Sequence, residues 1–210
     1  MEKYIENLNW RYAAKEFDNS KKVSREELEN IIEVFRLSAS SFGLQPWKLF
    51  VVETQELKTK IMEKSWNQKQ IGENSYLLVF AKPTNIDSDL VNRYLDKSAS
   101  ANGIKREDLA GYEQMLLGFV NGTSKENLDI WAREQVFLAL GNVMSYLADK
   151  KIDSCAVGGF SKNDVNEILN LTEKGYESVV LLPIGYRSEN DKYSKMNKVR
   201  FDKEEISEIL

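Results

Sequence analysis

Two pairs of cations at opposite ends of the chain have spacings that suit an anion. Arg11 and Lys15 stand four residues apart, so a helical turn between them would aim both charges the same way. Lys198 and Arg200 alternate, which puts both on one side of an extended segment. Arg brings a fork of donors and Lys a mobile point charge, a combination that grips phosphate. Taken singly, either pair reads first as a solvated basic face. Far from both in sequence, Ser38, Ser40 and Ser41 offer hydroxyls either to ligand oxygens or to a turn. The Gln45 amide, donor and acceptor at once, matches the polar edge of a heterocycle or faces water. Asn67-Gln-Lys-Gln70 is a further polar set, or an exposed helix start. Gly158-Gly159 either lets backbone N–H groups approach a flat ring or makes a tight turn. No G-x-G-x-x-G and no P-loop occurs, so a dinucleotide fingerprint is absent.

What the chain lacks narrows the chemistry further. It has no histidine, which removes Ser-His-Asp hydrolysis, Cys-His nucleophiles and imidazole metal sites. Its single cysteine, Cys155, precludes an intrachain disulfide or a thiolate metal cluster, and reads as a buried small hydrophobe. An enzyme so equipped would leave much of its chemistry to a cofactor. The net charge of -4 disfavours general attraction to nucleic acid while leaving room for a local basic pocket. No apolar run reaches the length of a membrane span, and the first residues form no signal h-region. A cytoplasmic home is the expectation.

These residues must be placed by alternating helices and strands. Helices are predicted over Lys3 to Ala13 and Arg25 to Leu37, the second opened by a Ser24–Glu27 capping box. Trp47 to Glu53 reads as a strand, followed by a helix capped by Thr54 with a Glu56–Lys60 pair. Tyr76 to Ala81 is a buried strand closed by Pro83, and Asp87 to Leu95 a helix. Ser98 to Gly111 reads as irregular, with helices over Tyr112 to Phe119 and Ser124 to Lys150. The last of these is apolar on several sides, as in a core or a subunit interface. Cys155 to Val157 is strand-like, Ser161 starts a helix, and Ser178 to Gly185 is the last strand. Interspersed in this way, the elements make an α+β or α/β chain without repeats or linkers.

The colinear order of these pieces resembles the FMN-dependent nitroreductase family. The resemblance runs through Arg11-Tyr-Ala-Ala-Lys15-Glu-Phe17, Ser38-Ala-Ser-Ser41 with Gln45-Pro-Trp47, and Asn67-Gln68. It continues through Trp131-Ala-Arg-Glu-Gln135, Gly141-Asn142, Gly158-Gly159-Phe160, Lys174 to Ser178, Leu182 to Gly185 and Lys198-x-Arg200. It implies an α+β fold, a central and mostly antiparallel sheet flanked by helices, in an intertwined homodimer with FMN at the interface. Residues 1–210 would form one FMN-binding domain, its tail from about 188 to 210 extending over the partner subunit. NADH or NADPH would reduce the flavin in a ping-pong cycle, and a nitroaromatic, quinone or similar planar acceptor would reoxidise it. The alternatives are a reductase narrow for a pterin or an enone, or a non-catalytic flavin binder.

Carried over residue by residue, the resemblance assigns Arg11, Tyr12, Ala13 and Lys15 to the flavin, with Lys198 and Arg200 at its phosphate. Ala39, Ser40 and Ser41 would approach from the other subunit. Asn67 would meet the polar edge of the ring, and Gly159 would offer its N–H near N5. Gln70, Ala156, Val157 and Gly158 complete the expected cofactor-binding set. Lys15, beside the charge that develops on reduction, and Gly159 would tune the flavin. The chain departs from the family at Gly158, often Glu, at Gln70, often Lys, at Ala13, often a hydroxyl residue, and at Gly43, often Asn.

Overall fold

The structure, a computed structural model, describes residues 2–210. Four strands form one antiparallel sheet in the order β1-β2-β4-β3, with β1 at Lys48–Val52, β2 at Tyr76–Pro83, β3 at Asp153–Ser154 and β4 at Tyr176–Gly185. The chain is therefore α+β. Side chains alternate across β2 and β4, because successive residues of a strand point to opposite faces. Leu78, Phe80, Val180 and Leu182 face α2 (Arg25–Arg36) and α7 (Lys125–Asp149). Leu77, Val79 and Leu181 face the other layer, which holds α3 (Gln55–Glu63), α4 (Lys69–Gly72) and α8 (Lys162–Ile168). A third apolar cluster joins α5 (Ser88–Asn102), α6 (Ala110–Gly122) and the start of α7 around Leu44. Among the described residues, no helix is long and apolar enough to cross a membrane.

Several local expectations hold and several change. The Ser24 hydroxyl accepts from the Glu27 N–H at 3.1 Å and caps α2. The reciprocal half of the capping box is missing, because the Glu27 carboxylate accepts from the Tyr146 hydroxyl at 2.6 Å instead. Tertiary pairing with α7 wins over the local bond. Thr54 stands at the start of α3 but its side chain makes no cap bond, while Lys60 and Glu56 pair at 2.6 Å. The segment from Ser98 to Gly111 is not irregular. α5 continues through it to Asn102 and stops at Gly103, whose φ of 64° is the left-handed geometry that ends helices. Its polar residues are the solvent face of a helix whose inner stripe is Leu90, Val91, Leu95 and Ala99.

α1 (Glu2–Trp10) ends earlier than expected, and the chain beyond it is extended. Ala13 bridges Ser154 of β3 and Phe17 bridges Arg187. Arg11 and Lys15 therefore do not share a helical turn; a bridged, bent segment brings both to the same cavity.

Candidate functional site

The extended segment after α1 and the tail after β4 form the walls of one cavity of about 560 Å³. Arg11, Tyr12, Ala13 and Lys15 line one side, and Lys198 and Arg200 the other. Asp191 holds the walls together. Its buried carboxylate accepts from the Lys15 N–H at 2.8 Å, the Tyr12 hydroxyl at 2.9 Å and the Tyr193 N–H at 3.0 Å. Burial alone would raise its pKa, but these donors outweigh that and hold it below the usual carboxylate value. The same environment, burial first and then the bond to Asp191, pushes the Tyr12 phenol up. Behind Tyr12, the Arg187 guanidinium lies between the rings of Trp10 and Tyr12, 4.2 and 4.5 Å from their centroids. It also binds Asp153 of β3, so the wall is tied to the sheet.

The charge of this cavity is one-sided. Among the described residues, no carboxylate pairs with the side chains of Arg11, Lys15, Lys198 or Arg200. Burial, then the Arg200 charge, lowers the Arg11 pKa, and burial followed by Arg11 and Arg200 lowers that of Lys198. Part-buried cations this close together leave the cavity electrostatically positive. The Lys198 ammonium donates to the carbonyls of Leu8, at 2.6 Å, and of Arg11, where it also satisfies the end of α1. The Lys15 ammonium reaches inward to the buried Cys155 sulfur at 3.4 Å, while residues 155–159, like Asn67 and Gln70, do not themselves line the cavity.

In that segment Val157 is buried and bridges Leu181, while Ala156 and Gly158 are exposed. Among the described residues, no protein group accepts the N–H of Gly158 or Gly159. A Cβ on Gly159 would come within 2.0 Å of the Trp66 ring and would have to displace it, whereas a Cβ on Gly158 would meet nothing within 4 Å. Trp66 and Asn67 both adopt left-handed backbone, with φ of 54° and 53°, as α3 ends in a turn closed by Asn67 N–H to the Met62 carbonyl at 3.1 Å. Asn67 is exposed. Gln70 is instead buried, and its amide donates to Gln68 at 3.1 Å rather than facing the cavity.

Ala39, Ser40 and Ser41 lie apart from this cavity within the chain. The Ser41 N–H donates to the buried Gln135 of α7 at 2.8 Å, and the Ser40 hydroxyl accepts from the Gln45 N–H at 3.0 Å. Gln45 is exposed and Trp47 buried in the core. Phe42, next in line, is held at φ 56° with its carbonyl accepting from the Tyr112 hydroxyl at 2.9 Å.

A four-stranded antiparallel sheet flanked by helices, with a cavity lined by four cations, places the chain in the α+β class. The nitroreductase family model matches residues 8–186, and the chain belongs to the nitroreductase family. It is 35% identical to SH0546 of Staphylococcus haemolyticus, provisionally named an NAD(P)H nitroreductase, over all of this chain and 98% of that protein. It is 33% identical to the major NAD(P)H-flavin oxidoreductase of Aliivibrio fischeri, over 98% of each chain. In fold it matches an Exiguobacterium sibiricum protein solved in complex with FMN, at a TM-score of 0.83 and 20% identity, over 99% of this chain and 97% of that one.

Proposed function

We propose that the chain is an NAD(P)H-dependent oxidoreductase that binds FMN, with Arg11, Lys198 and Arg200 receiving the phosphate. The observation that carries this is the convergence of Arg11, Lys15, Lys198 and Arg200 on one cavity with no carboxylate partner among the described residues, which suits an anion. When bound, FMN supplies the hydride chemistry that a chain without histidine lacks, accepting from NADH or NADPH and donating to the acceptor.

The protein's share is binding, orientation and charge. Lys15 presents a fixed cation from the cavity wall, which favours the reduced, more negative state of the ring. Tyr12 and Ala13 frame the ring on the same wall, and Asn67 faces solvent where the polar edge would lie. Gly159 keeps its N–H free to donate, and Ala156, Val157 and Gly158 carry that turn. Gln70 acts from behind, through Gln68.

Ala39, Ser40 and Ser41 reach a flavin only if it belongs to a second copy, so the working unit in this reading is a homodimer. Exposed Tyr4 and Ile5 of α1 and Phe137 and Leu138 of α7 support an apolar face for that copy. Phe201, Ile206, Ile209 and Leu210 lie exposed on the tail, which supports its reaching over the partner. The acceptor is a planar oxidant, a nitroaromatic or a quinone.

Anaerobic rapid mixing with NADPH, and separately NADH, tests this reading. Bleaching of the flavin absorbance, followed by its return on adding a quinone, is the expected course. A bound flavin that neither donor bleaches would leave a flavin binder instead.

A further inference from the structure

We propose that Gln68 is a positioning residue that presets Gly159 for the ring it receives, an inference that rests on the flavin reading of the site. The Gln68 amide nitrogen donates to two carbonyls, Ser65 at 3.0 Å and Gly159 at 2.8 Å. Its carbonyl accepts from the buried Gln70 amide at 3.1 Å. Both donors and the acceptor of this side chain are therefore engaged, and no other side-chain type of this length offers that set.

Two further ties converge on the same turn. Ser161 donates its N–H to the Lys64 carbonyl at 2.9 Å, and the Trp66 ring lies where a Cβ of Gly159 would stand. The segment from 64 to 70 thus holds Gly159 by its carbonyl, covers its Cβ position with the Trp66 ring, and ties down Ser161 two residues on. What it leaves unbound is the N–H of Gly158 and Gly159. A pair of glycines is the most permissive backbone available and is costly to order. Gln68 orders it before any ligand arrives, so the donor is aimed without loss of affinity at binding.

Gln70 has its role here too. Where a cation at that position would address the ring directly, the neutral amide holds Gln68 in place. The relay Gln70–Gln68–Gly159 is built of neutral groups and keeps its geometry across pH.

The test compares wild type with Gln68→Leu, which cannot donate, and Gln68→Glu, which donates only when its carboxyl is protonated. FMN dissociation constants, the midpoint potential and 15N relaxation of the Gly159 amide in the FMN-free protein are measured. In FMN-free wild type the Gly159 amide is rigid, with an order parameter of about 0.85, and in Gln68→Leu it falls toward about 0.6. Gln68→Leu binds FMN about tenfold more weakly, the worth of one well-placed hydrogen bond. Its midpoint potential also shifts, because a donor aimed at a ring nitrogen distinguishes oxidised from reduced flavin. Gln68→Glu shows the same loss at neutral pH and regains affinity as pH falls through its carboxyl pKa. A merely structural role would give neither the potential shift nor that rescue.

Wild-type FMN affinity and potential in both variants would overturn the proposal while leaving the flavin reading intact. A wild-type protein that takes up no FMN, with a Gly159 amide that still loosens in Gln68→Leu, would overturn the flavin reading and keep the clamp. If Gln68→Leu fails to fold, Gln68→Glu and its pH rescue decide the question alone.

Discussion

The Lys15 ammonium donates to the sulfur of Cys155 at 3.4 Å, in a cavity whose other cations are, among the described residues, also unpaired by carboxylates. A thiol is a weak acceptor, so Lys15 keeps nearly its full charge for a ligand while its direction is set. Replacing Lys15 by Met therefore removes charge without removing volume. The expected outcome is a lower flavin midpoint potential and weaker FMN retention, read by dye-coupled anaerobic titration. An unchanged potential would remove Lys15 from the tuning role.

The proposed phosphate grip predicts its own signature in pH. Burial, then neighbouring cations, puts the Lys198 pKa below the ordinary 10.5. A cation is charged below its pKa, so FMN affinity is full at neutral pH and declines as pH rises through that lowered value. Titrations at several alkaline pH values should show the decline beginning before the usual lysine range, and Arg11→Ala should weaken FMN about tenfold at neutral pH. Affinity unaffected by Arg11→Ala would place the phosphate elsewhere.

Asp191 was not legible as a site residue. In the sequence it stands within a charged tail, with no neighbour that marks it. The structure makes it the joint between the two walls. Its folded pKa is depressed, so its stabilisation is present above the unfolded value of about 3.8 and is lost as pH falls below that through the folded value. Thermal melts should show wild type losing stability in that acid window and Asp191→Asn losing much less there. Tyr12→Phe should cost about 2 kcal/mol, the worth of a hydrogen bond to a charged group.

The paired glycines should answer differently to the same change. Gly159→Ala places a methyl group within 2.0 Å of the Trp66 ring and must displace it, so the Trp66 fluorescence and the FMN affinity both change. Gly158→Ala meets nothing within 4 Å and should leave melting and emission within error of wild type. Similar spectra for both variants would show that Trp66 does not rest on Gly159.

Much of the frame could be read ahead of the structure because it depends on local periodicity. The stripe Leu28, Ile31 and Phe35 and the run Tyr76 to Ala81 announce a helix and a buried strand without knowledge of their neighbours. Failures arose where distant partners decide. The chain from Arg11 to Lys15 is extended because Ala13 pairs with Ser154, far away in sequence. The Glu27 carboxylate leaves its local cap for Tyr146. α5 runs to Asn102 because its inner stripe stays buried, Leu95 clustering with Leu116 and Val120 of α6 and Ala99 buried beyond it, which polar composition alone conceals. Gln70 turned inward for the same kind of reason, since Gln68 offers it an acceptor that spacing cannot reveal.

The most direct test of the phosphate-binding cavity compares FMN with riboflavin, which shares the ring but lacks the phosphate. Two or more charge-assisted hydrogen bonds from Arg11, Lys198 and Arg200 predict binding of FMN at least about a hundredfold tighter than riboflavin at low salt, with the gap narrowing as salt rises. Equal affinities for the two, or a gap indifferent to salt, would contradict the assignment of these cations to a phosphate.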